Sequence, residues 1–252
     1  MTRPARQHRY VRPWAAAALT VAVGLAGAWA VPTADAAPAP QAAAARPTGK
    51  VLLFTFDSKR LLTDGAHVTN AAGKGRATVE VGAGHFKKVT GKPGRAARYP
   101  LSSGYGLLEA PDRRAWDPAG RDFAYGAKVR VATAQASRNM NVMQKGYYKQ
   151  SGGQWKIQLD QGRPSCRVSG DAGALLVRSD TSVADGQWHR LACVRSYHSL
   201  VLKVDGTEVA SATGTTGKVA NSSVIRIGAK KLGTGRVDQF HGRLDVPFLT
   251  VH

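Results

Sequence analysis

The sequence has few glutamate, cysteine or aromatic residues. Only three of its 252 residues are glutamate, at Glu80, Glu109 and Glu208, whereas 28 are glycine. Because glycine weakens a helix by about 1 kcal/mol relative to alanine, this composition disfavours long helices and excludes a helix bundle. The two cysteines are too few for a cysteine-rich zinc module, which needs about four close ligands.

Acidic charge is also scarce. The chain has 36 Lys and Arg residues against 16 Asp and Glu, a formal charge of +20 and a pI of about 10.5. Hydrophobic residues make up 43% of the chain, which is enough for a sizeable core and excludes wholesale disorder. A length of 252 residues suits one large all-β domain as well as two smaller domains.

The first 36 residues have the three parts of a secretory leader. A basic head is followed by an apolar run over 15–31 and by the small residues Ala34-Asp35-Ala36. We therefore expect a signal peptide over 1–36, an Ala/Pro-rich flexible linker over 37–49 and the folded domain over 50–252. An uncleaved anchor is the alternative, because the apolar run lies near the lower limit of roughly 17–25 residues for a membrane span. With a cleaved leader, the membrane is met only during export and the protein is extracellular.

Export bears on the oxidation state of the two cysteines. In an oxidising exterior an even pair forms a disulfide more often than two reactive thiols, so the sequence predicts a bridge between Cys166 and Cys193.

The apolar pattern of the domain has a period of two. Trp155, Ile157 and Leu159 alternate with polar residues, as a half-buried strand requires. Asp205-Gly206 between two such runs indicates a two-residue hairpin. A series of short strands without helical periodicity predicts an all-β, two-sheet antiparallel jelly-roll sandwich. The predicted strands are 51–56, 77–82, 105–109, 123–131, 140–147, 154–160, 174–178, 188–195, 200–204, 207–211, 224–228 and 243–251.

One stretch carries a family signature. Residues 185–195, DGQWHRLACVR, followed by 200–206, LVLKVDG, resemble the centre of laminin-G-like domains. Residues 142–146 with 155–160, residues 225–228 and residues 240–245 are similar to the flanking segments of that family in order and spacing. The resemblance implies the concanavalin A-like lectin/glucanase fold. It also implies that Trp188 fills the core and that the cysteine bridge joins neighbouring strands.

The same resemblance bears on catalysis, because the fold includes hydrolases and lyases. Its hydrolases share an E-x-D-x-x-E or E-x-D-x-E strand, which this sequence lacks, so a retaining glycosidase with paired carboxylates is not expected. A polysaccharide lyase stays open as the alternative, since 145–150, KGYYKQ, is similar to a strand of some alginate lyases. The companion strands of that family are missing. A non-catalytic binding module is therefore the first expectation.

Charge and exposed aromatics suggest what such a module binds. Seven basic residues, Lys87 and Lys88 among them, lie between positions 74 and 98 with one acid. Such a run attracts polyanions, so we expect an extracellular polysaccharide or cell-wall polymer as partner, favouring acidic polymers. The sequence has no motif for sequence-specific nucleic-acid recognition. Trp116, Tyr148 and Tyr197 are the candidates for stacking on sugar, with core packing as the alternative for each.

Calcium is the one cofactor that the resemblance suggests, since laminin-G-like relatives often hold it at the sandwich edge. Asp57 and Asp245 occupy the matching positions near the first and last strands. Turn or edge carboxylates are the alternative reading of both. Neither the oligomeric state nor the identity of a glycan follows from the sequence.

Overall fold

The computed structural model describes residues 49–252. The expected signal peptide and nearly all of the expected linker lie outside the described residues. No helix within 49–252 is long and apolar enough to cross a membrane.

Sixteen strands and two short 3-10 turns make up the described chain. The 3-10 turns are Arg114–Trp116 and Thr133–Gln135. The strands are β1 Lys50–Leu53, β2 His67–Thr69, β3 Arg76–Ala83, β4 Lys87–Thr90, β5 Arg95–Arg98, β6 Tyr105–Ala110, β7 Phe123–Arg130, β8 Met140–Lys145, β9 Gln154–Asp160, β10 Arg163–Gly170, β11 Gly173–Arg178, β12 Trp188–Ser196, β13 Ser199–Val204, β14 Thr207–Thr213, β15 Ile225–Ile227 and β16 Arg243–Val251.

The strands form two eight-stranded antiparallel sheets. Sheet I has the order β14-β13-β12-β7-β16-β5-β4, with β1 also paired to β16. Sheet II has the order β11-β10-β9-β8-β15-β6-β3-β2. The chain crosses repeatedly between the sheets, which is the connectivity of a jelly roll and confirms the predicted fold class.

The apolar faces of the two sheets meet in one core. Trp155, Ile157 and Leu159 of β9 are fully buried, as their alternation predicted, and they share this core with Tyr125 of β7. The ring of Tyr125 lies 4.9 Å from that of Trp155, and its hydroxyl donates to the backbone oxygens of Lys156 and Arg167. The core is therefore fastened across the sheets by both packing and hydrogen bonds.

The predicted disulfide is present, and the strands that it joins face each other across the two sheets. Cys166 lies on β10 of sheet II and Cys193 on β12 of sheet I, with the two Cα atoms 5.8 Å apart. Both residues point inward and are fully buried, so the bond crosses the sandwich. Closing a loop with a sequence separation of 27 stabilises the fold by roughly 3 kcal/mol.

The expected role of Trp188 is wrong. On β12 the inward side chains are Leu191 and Cys193, both fully buried, and alternation along the strand places Trp188 on the outer face. Its Cα partner is Arg130 of β7, and the indole is half-buried rather than part of the core.

The predicted hairpin is confirmed. Asp205 and Gly206 form the two-residue turn between β13 and β14, with φ of 53° and 91°. Both central residues have positive φ, which a primed turn requires. Four strands were not predicted, namely the short strands β2, β4 and β5 and the longer β10.

Candidate functional site

A row of polar side chains crosses the outer face of sheet II. The Cα partners run from Arg167 of β10 to Lys156 of β9, Gln144 of β8, Arg226 of β15 and Glu109 of β6. Their sequence neighbours point into the core, so strand alternation places this row on the outer face. The row is polar across five strands, in contrast to the core behind it.

Two tyrosines of the β8–β9 loop lie over this row. The ring of Tyr148 is centred 4.8 Å from the guanidinium carbon of Arg167 and is 66% exposed. The ring of Tyr147 is centred 5.3 Å from the guanidinium carbon of Arg226. We call Tyr147, Tyr148, Arg167, Arg226 and Lys156 together the tyrosine face.

Hydrogen bonds hold the loop that presents these rings. The Tyr147 hydroxyl donates to the backbone oxygen of Lys230 at 3.0 Å, and its amide donates to the side chain of Gln150 at 2.9 Å. The Gln150 amide in turn donates to the Ser223 hydroxyl at 2.7 Å. The β8–β9 loop is therefore tied to the segments on both sides of β15, so the tyrosines are positioned before any ligand arrives.

Lys156 joins the tyrosine face to a neighbouring cleft. Its Nζ lies 3.3 Å from Oδ2 of Asp238, which also lies 3.4 Å from Nζ of Lys230. Burial lowers the pKa of Lys156 below its ordinary value, although the Asp238 carboxylate opposes this shift. Lys156 is thus a partly desolvated cation that forms an ion pair with Asp238, and the same carboxylate also pairs with Lys230.

The cleft lies at one end of the sandwich and has a volume of about 1180 Å³. It is formed by the loops β5–β6, β7–β8 and β15–β16 together with the β9–β10 turn. The cationic residues lining it are Arg138, Lys230 and Arg236, and Asp238 is the acid that lines it. Both this cleft and the tyrosine face therefore carry positive charge.

One predicted stacking residue is excluded by its position. Trp116 is 1% exposed, and its indole N–H donates to the backbone oxygen of Val51 at 2.9 Å. A ring enclosed in the core cannot stack on a sugar, so the prediction for Trp116 is wrong and its alternative, core packing, is what the structure has.

The other predicted ligand residues are spread over both sheets. Tyr148 is on the tyrosine face. Tyr197 is 59% exposed in the β12–β13 turn of sheet I, with its ring 4.5 Å from that of His198. Lys87 and Lys88 are on β4 at the edge of sheet I, and the Lys88 amine is hydrogen-bonded to Ser58. The structure does not bring them together into one site.

The expected calcium pair does share a pocket. Asp57 and Asp245 line a cavity of about 290 Å³ beside the irregular pairing of β16. Burial and the nearby Asp57 charge raise the pKa of Asp245 to about 6, against a hydrogen bond donated by the Val246 amide. Two close carboxylates are a natural start for a cation site.

The remaining donors fit calcium poorly. Lys50, Lys128 and Arg190 line the same pocket and already place positive charge there. Nowhere in 49–252 do three or more His, Cys, Asp or Glu side chains converge on a point where a metal could sit. Calcium takes six to eight oxygen ligands, so calcium binding at Asp57 and Asp245 remains a proposal that rests on these two residues.

Several residues of the tyrosine face were not predicted. Arg167 belongs to β10, one of the strands that were not predicted, and Tyr147 was predicted only as part of the lyase-like segment 145–150. The period-two alternation of β9 does place Lys156 on the polar side. However, which strands lie beside it depends on contacts between distant segments.

Comparison with protein families identifies a matching family model. A laminin G family model, described as the concanavalin A-like lectin/glucanases superfamily, matches residues 102–246. A search of the curated proteins gave no match.

Solved structures share this fold. The binding domain of Paraclostridial Mosquitocidal Protein 1 superposes with a TM-score of 0.60 and 16% identity over 80% of this chain and 48% of that one. The binding domain of Botulinum Neurotoxin DC in complex with SialylT gives 0.57 and 9%, over 81% and 48%. The chain thus spans about half the length of these toxin domains.

A third structure matches over most of its own length. Domain 4 of AbnA, a GH43 extracellular arabinanase from Geobacillus stearothermophilus in complex with arabinotriose, gives a TM-score of 0.58 and 16% identity. The alignment covers 81% of this chain and 92% of that one. At these identities the likeness concerns the fold alone.

Proposed function

Because the chain belongs to the concanavalin A-like lectin/glucanases superfamily, we propose that it is a secreted, non-catalytic carbohydrate-binding module and that the tyrosine face is its sugar site. Three structures of the same fold are binding domains or a domain in complex with a sugar, which supports a binding role. The buried disulfide supports export, because such bonds persist in oxidising compartments.

The exposed ring of Tyr148 is the observation that carries the proposal. One side of the ring lies over Arg167, whose cation is attracted to the ring and holds it in place. The ring remains 66% exposed, so a flat apolar surface faces solvent beside hydrogen-bonding groups. A sugar ring has an apolar C–H face and polar edges, and it matches such a surface.

The charge of the site favours acidic sugars. Lys156 and Arg226 each have an acidic partner, Asp238 and Glu109 respectively. Arg167 forms no ion pair with any residue in 49–252, so its positive charge remains uncompensated beneath Tyr148. An anionic substituent on a sugar stacked over Tyr148 would supply that missing charge.

The lyase alternative has less support. Its chemistry needs a free base and a free group that neutralises a uronate carboxylate. Here the Tyr147 hydroxyl donates to a backbone oxygen, Arg226 is paired with Glu109 at 2.9 Å, and the Gln144 amide donates to the backbone of Gly146. Tyr147, Arg226 and Gln144 therefore already have partners within the protein, which leaves Tyr148 and Arg167 as the groups that a lyase would have to use.

Retention of the folded domain on immobilised glycans tests the proposal. We expect Tyr148→Ala to weaken binding at least tenfold, about 1.4 kcal/mol, because the stacking surface is lost. Tyr197→Ala is the matched control, since it removes an equally exposed tyrosine from a turn of the other sheet. Equal binding by the wild type and Tyr148→Ala on every retained glycan would refute this site.

The same protein separates binder from lyase. Incubation with acidic polysaccharides should give no absorbance from unsaturated sugar products. A time-dependent rise that Tyr147→Phe or Tyr148→Phe abolishes would establish the lyase instead.

A further inference from the structure

A second charged surface crosses sheet I. In this sheet Lys87 of β4 lies opposite Arg98 of β5. Arg98 in turn lies opposite Arg243 of β16, and Arg243 lies opposite Arg130 of β7. We call these four residues the basic row. It crosses four neighbouring strands in register, and the half-buried Trp188 of β12 continues it beyond Arg130.

The basic row faces outward. The positions next to it along the strands are Ala97, Leu244 and Val129, all fully buried in the core. Strand alternation therefore places Arg98, Arg243 and Arg130 on the opposite face.

These cations have almost no partners within the protein. In the described part of the chain, none of the four has a carboxylate within ion-pair distance. Arg130 donates a hydrogen bond to the backbone oxygen of Gly186 at 2.5 Å. Arg195, also in sheet I, is different: its guanidinium is hydrogen-bonded to Thr216 and to three backbone oxygens. Arg195 is thus held by hydrogen bonds within the described chain, whereas in the basic row only Arg130 has a side-chain hydrogen bond there.

The arrangement works against folding. Like charges directly opposite each other on adjacent strands are destabilising, and the row contains three such pairs in succession. An external polyanion would remove this repulsion, whereas nothing in residues 49–252 does so through an ion pair.

We propose that the basic row binds a linear acidic polysaccharide that lies across the strands of sheet I, with anions at regular intervals along its length. Neighbouring strands are about 4.8 Å apart, so the row presents cations at about that spacing. An extended polyuronate carries one carboxylate on each sugar ring, at a comparable spacing. Trp188 at the end of the row offers an apolar surface to a further sugar.

The spacing of charge along the row argues against a nucleic-acid duplex as the ligand. A duplex carries one charge per roughly 1.7 Å of its axis on two strands, much denser than one cation per strand of a sheet. The next outward positions on β16, β7 and β12 are Asp245, Lys128 and Arg190, so one acid interrupts the positive charge beside the row.

Binding of the folded domain to polygalacturonate, at about 50 and about 200 mM NaCl, tests this proposal. We expect Arg98→Gln with Arg243→Gln to weaken binding about tenfold at low salt and to reduce its salt dependence. Arg114→Gln with Arg178→Gln is the control: it removes the same charge from two exposed arginines outside the row and should bind like the wild type. Fully methyl-esterified polygalacturonate has the same backbone without the charge and should not bind.

Three results would overturn the proposal. One is an equal loss in the row variant and the control variant, which would mean that overall charge alone is responsible. Another is tighter binding of a single-stranded DNA of equal charge. The third is unchanged binding by a row variant whose melting temperature matches the wild type.

A failure of the proposal for the tyrosine face on sheet II can be distinguished from a failure of the proposal for the basic row on sheet I. The tyrosine face also favours acidic sugars, so Tyr148→Ala can lower total polygalacturonate retention, but the salt-sensitive part that Arg98→Gln with Arg243→Gln removes should persist in this variant. Loss of binding to other glycans in Tyr148→Ala therefore concerns the tyrosine face alone.

Discussion

The Nδ1 atom of His189 lies 2.7 Å from Oδ2 of Asp205, which joins the start of β12 to the β13–β14 turn. On the other side of the imidazole, Nε2 lies 3.2 Å from the carboxylate of Asp185. Asp205 also accepts a hydrogen bond from the Arg190 amide at 2.7 Å. The histidine of the family signature is therefore a clamp between two turns, not a core residue or a metal ligand.

This clamp makes stability depend on pH. Burial lowers the pKa of His189, but its hydrogen bonds to Asp205 and Asp185 outweigh this and leave the pKa above the ordinary value. A raised pKa means that the folded state holds the proton more tightly, so the stabilisation is complete below about pH 6.5 and is lost as the pH rises through the folded-state pKa. The loss is partial, because a neutral imidazole still donates one hydrogen bond.

We expect His189→Gln to lower the melting temperature more at about pH 5.5 than at about pH 8.5. Melting curves of wild type and variant at both pH values measure the difference. His198→Gln, which replaces a histidine in the β12–β13 turn, is the control variant. A constant difference between wild type and His189→Gln would mean that the histidine does not titrate with folding.

Asp245 predicts an effect of opposite sign. Burial and Asp57 raise its pKa to about 6, so the folded state disfavours the ionised form and a penalty develops as the pH rises from about 4 to above 6. Asp245→Asn keeps an oxygen that can accept from Val246 and removes the charge. We expect it to raise stability at pH 7.5 by on the order of 1 kcal/mol, less than the full shift because solvent screens part of the interaction, with the gain lost below about pH 4.

The same variant tests the calcium proposal. Calcium held by Asp57 and Asp245 would raise the melting temperature of the wild type and not that of Asp245→Asn. Given the cations in the pocket, we expect no shift with calcium in either protein. A shift confined to the wild type would establish the cation site.

Lys145 predicts a large loss of stability. It is fully buried, and its Nζ lies 2.8 Å from Asp112 and 2.6 Å from Asp117. Lys145→Met would leave these two carboxylates facing each other, which should reduce the free energy of unfolding by roughly 3–5 kcal/mol.

Denaturant unfolding measures that loss, and a second ion pair provides the comparison. Arg226→Met removes the partner of Glu109 at a half-exposed site and should cost less than about 1 kcal/mol. Comparable losses in both variants would show that burial does not decide the effect here.

Particular residues show where sequence reasoning succeeds. The alternation of Trp155, Ile157 and Leu159 placed them in the core, and positive φ at Asp205 and Gly206 was expected from the residue types. Both are local properties, because the side-chain period of a strand and the backbone freedom of glycine do not depend on the rest of the chain.

Other residues show where it fails. The strands β4 and β5 are only four residues each and rich in Lys and Arg, so no apolar alternation marks them. Trp188 is a large apolar residue of a type often found in a core, but its side chain lies on the outer face of β12. Trp116 was a candidate for stacking on sugar with core packing as the alternative, and it is buried by contacts with β1.

The sequence by itself determined that this chain forms two sheets with a shared apolar core, and it named the cysteines that bridge them. Only the tertiary structure decided which cations stand side by side, because the register between Arg98, Arg243 and Arg130 joins segments far apart in the chain. Local patterns decide which residues share a face of one strand. Which strands become neighbours depends on how all the apolar faces are buried together.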